Sequence, residues 1–151
     1  MDTVPRTISD ALAIATAQHR AGRLDLAAEI YRRILSAEPD CAAALHGLGL
    51  VAHQQGDSET AVALIGRAIA LEPGQAEYHN NLGNALRAQG KLDEATVRFR
   101  QALQLNPDYA EAYNNLATVL HTQGNFGEAL PAYRRALELK PDLAQVHYNL
   151  G

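Results

Sequence analysis

Residues 76–109 read AEYHNNLGNALRAQGKLDEATVRFRQALQLNPDY, and residues 110–143 read AEAYNNLATVLHTQGNFGEALPAYRRALELKPDL, a near copy. The spacing is 34 residues, and carrying it outward aligns Gly22, Gly56, Gly90 and Gly124 in one column, Pro39, Pro73, Pro107 and Pro141 in a second, and Ala27, Ala61, Ala95 and Ala129 in a third. A unit of this size cannot bury its apolar face alone and must stack on its neighbours, so the period restricts the fold to a repeat array. The chain is read as an N-terminal arm at 1–7, four repeats at 8–41, 42–75, 76–109 and 110–143, and a stretch at 144–151 that restarts a first helix and breaks off.

Each recurring residue has a mechanical reason. The glycine at position 15 of each unit ends a first helix, because a residue without Cβ takes positive φ, and the short turn leaves two helices antiparallel. Alanine at position 20 lets those helices touch, and Leu35, Ile69, Leu103 and Leu137 recur on the apolar stripe of the second helix. Proline then stops that helix. Thr7 is placed to cap the first helix, with Asp10 favoured by the helix dipole. Gly66 weakens its helix, Pro131 near the start of another is expected to kink it slightly, and Ala11, Ala15 and Gln18 make the first repeat a loosely docked cap.

With these residues in place, the chain resembles the tetratricopeptide repeat. In the third repeat the family pattern is met by Leu82, Gly83, Ala95, Phe99, Ala102 and Pro107, and in the fourth by Tyr113, Leu116, Ala129, Tyr133, Ala136 and Pro141. The resemblance implies an all-α, right-handed superhelical solenoid of antiparallel helix pairs. Repeat two departs from it, with Ile65 in the aromatic slot.

Composition narrows the function classes. A net charge of −4 with no Lys/Arg-rich run offers no footprint for nucleic acid. No apolar run approaches a membrane span, so neither class of partner is expected. The run ALAIATA at 11–17 ends in an Ala-x-Ala pattern, but acidic Asp2 and Asp10 precede it and it falls in helical register, which argues against a signal peptide. Cys41 is a lone cysteine, consistent with a reducing, cytoplasmic compartment. No nucleophile elbow, phosphate loop or zinc-protease motif occurs and Glu77 and Glu111 stand singly, so the segment is read as non-catalytic and free of cofactor or metal.

In the family the first helices line a concave groove through positions 2, 5, 6, 9, 12 and 13. Position 6 carries Asn81, Asn115 and Asn149 after Ala13 and Gly47. A carboxamide offers both a donor and an acceptor, the pair needed to hold a peptide amide. The column resembles the asparagine ladder of O-linked N-acetylglucosamine transferase, which implies a grip on extended polypeptide; Asn80, Asn84 and Asn114 would broaden it. Asparagine at this position equally serves to bond neighbouring backbone, and both readings stand. The family's dicarboxylate clamp is disfavoured: Asn84 and Asn115 match, but Asn80, Gln145 and Asn149 replace its cations.

Position 12 carries His19, His53, Arg87 and His121, a stripe suited to an acidic peptide as pH falls through about 6.5, or simply a solvated edge. His79 and His147 are expected to replace a core aromatic. The sequence thus predicts a protein-interaction scaffold binding an extended partner segment. Two alternatives accompany it: the substrate-recruiting arm of a larger enzyme such as a glycosyltransferase, since the unfinished register at Gly151 suggests a piece of a longer chain, and a module that self-associates end to end through its open C-terminal face.

Overall fold

The glycine and proline columns punctuate the backbone where the period predicts. A computed structural model describes residues 5–143, which hold α1 (Ile8–Arg20), α2 (Leu24–Ala37), α3 (Ala42–Gln54), α4 (Ser58–Leu71), α5 (Ala76–Ala88), α6 (Leu92–Leu105), α7 (Ala110–Thr122) and α8 (Phe126–Leu139). Among the described residues there is no strand. Gly22, Gly56, Gly90 and Gly124 have φ of 77°, 84°, 76° and 78°. The residue after each glycine donates its N–H to a carbonyl in the helix just ended, as Arg23 does to Gln18 and Lys91 to Leu86, both at 3.0 Å. Each first helix therefore closes on a Schellman turn that satisfies otherwise orphaned carbonyls.

Thr7 caps α1 by accepting from the Asp10 N–H at 3.0 Å. Asp57 and Asn125 cap α4 and α8 in the same way. The bonds from Thr60 hold the Asp57 carboxyl below its ordinary range. Pro131 is the sixth residue of α8, beyond the first turn, and the helix runs through it.

Contacts divide the chain into two compact units, Met1–Pro73 and Gly74–Gly151. In the first, α1 packs on α2, α2 on α3 and α3 on α4; the second repeats this order with α5 to α8. Ala27, Ala61, Ala95 and Ala129 are buried between paired helices. Small residues opposite them seat large ones. A Cβ on Gly83 would lie 2.6 Å from the Phe99 ring, and one on Gly49 would lie 2.6 Å from Ile65. The first pair is the thinnest: α1 buries only Ala11 and Ala15, whereas α3 buries eight residues.

Each unit ties its two pairs together with side-chain bonds. In the first, Gln55 donates to Asp25 at 3.2 Å and the His19 imidazole pairs with the Gln54 carbonyl at 2.8 Å. In the second, Gln123 donates to Asp93 at 2.8 Å and Arg100 pairs with Glu128 at 2.8 Å. His46 and His79 are buried within α3 and α5, and His79 takes the core position expected of it.

Candidate functional site

The first helices of the second unit, α5 and α7, run beside each other and present their asparagines to one cleft of about 430 Å³. Asn80, Asn81, Asn84, Asn114 and Asn115 line it, with Tyr109, Glu111 and Leu143 around them. The helical repeat puts positions 5, 6 and 9 on one face, and the 34-residue period puts the matching residues of the next pair alongside.

The asparagines differ in role. Asn115 donates through Nδ2 to Asn80 Oδ1 at 3.0 Å, joining α7 to α5. Asn80 and Asn114 are each 4% exposed and form the floor, while Asn81, Asn84 and Asn115 are half-buried. The Asn84 and Asn114 carboxamide oxygens are buried with no hydrogen-bond partner among the described residues. Asn149, expected to continue the column, lies outside the described residues.

Tyr109 was not singled out from the sequence, yet its phenol forms part of the wall. It is pushed up to about 12, first by burial and then by the Glu77 and Glu111 carboxylates, with Asn80 hydrogen-bonding against that rise. Tyr109 closes the loop that precedes α7, so its signal was its place one residue before a groove helix. Glu111 pairs with Lys140, which holds its carboxyl below the ordinary value.

The position-12 residues do not enter the cleft. Burial lowers the Arg87 guanidinium below its ordinary value, with Tyr133 acting against that shift. His121 is exposed at the end of α7, edge-on to Phe126 at 5.1 Å and to Tyr133 at 6.5 Å. His53 belongs to the first unit, half-buried in α3, and its Nδ1 has no partner among the described residues. Among the described residues, no group of three or more His, Cys, Asp or Glu side chains could hold a metal ion, and no helix is long and apolar enough to cross a membrane.

A family model described as tetratricopeptide repeat matches residues 12–76 and 54–96, more than half of the chain. The chain belongs to the tetratricopeptide repeat family. Further repeat models of the same family match residues 83–124 and 110–143. No curated protein sequence matches the chain significantly.

Among solved structures, MamA from strain AMB-1 is 30% identical with a TM-score of 0.73, over 89% of this tetratricopeptide chain and 79% of that one. A mutant O-GlcNAc transferase of Thermobaculum terrenum is 35% identical with a TM-score of 0.79, over 88% of this chain but only 27% of the transferase. MamA from Desulfovibrio magneticus RS-1, at 17% identity and a TM-score of 0.80 over 91% of this chain and 77% of that one, shares the fold. As a tetratricopeptide array the chain is a protein-interaction scaffold, on a fold that is generally non-catalytic.

Proposed function

We propose that the cleft between α5 and α7 holds an extended polypeptide by its backbone. The observation that carries this reading is the convergence of five asparagines on one cleft, two of them with buried oxygens that no group among the described residues satisfies. A carboxamide can take a peptide N–H and give to a peptide C=O whatever the side chains. Asn81 and Asn115 form the ladder, Asn80, Asn84 and Asn114 support it, and Asn149 belongs to it by sequence register alone. Beyond the cleft, acidic side chains of the partner would meet Arg87 and His121, the position-12 groups of the same unit; His53 would offer the same chemistry within the first unit. A cytoplasmic setting belongs to the same reading, because the thiol of Cys41 is free.

The test is a pull-down from the source cell's lysate with the parent chain and an Asn81→Ala, Asn115→Ala, Asn149→Ala variant of matched helicity. Partners captured by the parent and lost by the variant support the ladder. Equal capture by both would make it structural.

Two further readings have an observation each. Similarity to a transferase of which this chain spans about a quarter favours a recruiting arm within a larger enzyme, which the length of the complete gene tests. An open apolar groove between α1 and α2, lined by Ile8, Ile14, Leu26, Ile30 and Ile34, favours stacking against a second copy. Sedimentation across the micromolar range tests that, and a constant monomer mass would remove it.

A further inference from the structure

The cleft is unbalanced in hydrogen bonding, and the one charge in its lining is a carboxylate that Lys140 pairs from outside the lining. Asn114 is 4% exposed, lines the cleft, and has a carboxamide oxygen with no partner among the described residues. Asn84, on the neighbouring helix, also lines the cleft and also has a buried oxygen without one. Buried acceptors left open are costly, and only a donor relieves them. The one charged side chain in the lining is Glu111, a carboxylate, and no Lys or Arg joins it among the described residues. Glu77 stands near enough to act on Tyr109 together with Glu111. The chain already seats a cation at this rim, since the Lys140 ammonium donates to Glu111 Oε1.

We infer that the cleft receives a cationic side chain, a guanidinium or an ammonium, of the polypeptide it binds. The inference rests on the reading of the groove as a polypeptide site and names the residue type at this point of it. A guanidinium presents five N–H donors in a planar fork, an ammonium three, and neither presents an acceptor. Either offers the donors that Asn84 and Asn114 lack, and would share the Glu111 carboxylate with Lys140. The Tyr109 ring adds aromatic surface of the kind on which cations pack. An acidic side chain would do the opposite, adding a negative charge beside Glu111 and leaving both oxygens open. Position 2, with Glu77 and Glu111, and position 12, with Arg87 and His121, lie about 15 Å apart along each helix. The groove of the second unit therefore selects opposite charges at its two ends.

The experiment uses three alanine-serine peptides that differ only in a central Arg, Gln or Glu. Each is titrated into the full chain and followed by NMR of the asparagine side-chain amides. The Arg peptide is expected to bind about tenfold more tightly than the Gln peptide, the worth of one hydrogen bond to a charged group, and the Glu peptide most weakly. Glu111→Gln and Asn114→Leu should each shrink the Arg preference, and Lys140→Gln, which frees Glu111, should enlarge it. Equal binding of the three, or tighter binding of the Glu peptide, overturns the charge selection while leaving the backbone ladder in place. If no peptide moves the Asn81, Asn84 or Asn115 amides, the polypeptide reading falls, and the inference with it.

Discussion

The ring of Tyr31 on α2 fills the space that a Cβ on Gly47 of α3 would need, with an ideal Cβ lying 2.3 Å from Cζ. Gly47 holds position 6, the column that carries Asn81 and Asn115 in the second unit. The column stops there because an aromatic from the preceding pair already occupies the site. Gly47→Ala should therefore destabilise the first unit by about 1–3 kcal/mol, as overpacking does. A urea midpoint equal to that of the parent would show that Tyr31 has another place to go.

Gly66 is the opposite case. It lies within α4, and a Cβ there would meet nothing within 4 Å. Gly66→Ala adds helix propensity without a clash and should stabilise by up to about 1 kcal/mol. Thermal unfolding reads this directly, and a lowered midpoint would mean that the helix uses the glycine.

His46 makes stability depend on pH. It is lowered from 6.5 to about 4, mainly by burial and then by the charge of His19. The native chain keeps it neutral while the unfolded chain takes up a proton near 6.5, so the unfolded state binds more protons across that window. Its full contribution is present above 6.5 and is lost as the pH falls to about 4, up to about 3 kcal/mol in all. Urea midpoints measured along this range should decline in the parent and flatten in His46→Leu. Parallel curves would locate the acid sensitivity elsewhere.

The bond from Asn115 to Asn80 allows the structural share of the ladder to be measured apart from any ligand. Asn115→Ala leaves the buried Asn80 oxygen without this donor and should cost about 1–2 kcal/mol. In a double-mutant cycle with Asn80→Ala the two changes should couple by about 1 kcal/mol. Additive losses would mean that the pair contributes nothing beyond its separate side chains.

The helix-pair architecture could be read because its punctuation is local. Glycine at the turn, alanine at the crossing and Thr7 at the first cap each act within a few residues of themselves, and each does in the structure what its chemistry requires. The cleft was legible only as a column of residue types. That Asn115 would bond Asn80 rather than backbone, that Asn80 and Asn114 would sink to the floor, and that Tyr109 would form a wall all depend on the offset between neighbouring helices. A periodic sequence does not state that offset. Tyr31 reached Gly47, in the next pair, whereas Phe99, at the same register position, sits over Gly83 in its own. Pro131 lay deeper than its distance from the turn suggested, because Asn125 caps α8 and starts it at Phe126.

Gln55 to Asp25 and Gln123 to Asp93 are one bond made twice, 68 residues apart. Donor and acceptor come from adjoining pairs, so both ends of the bond travel together when the first and second repeats, or the third and fourth, are copied or lost as a block. A gene built this way can grow or shrink by in-frame duplication and deletion, and each new copy arrives with its own clasp already matched.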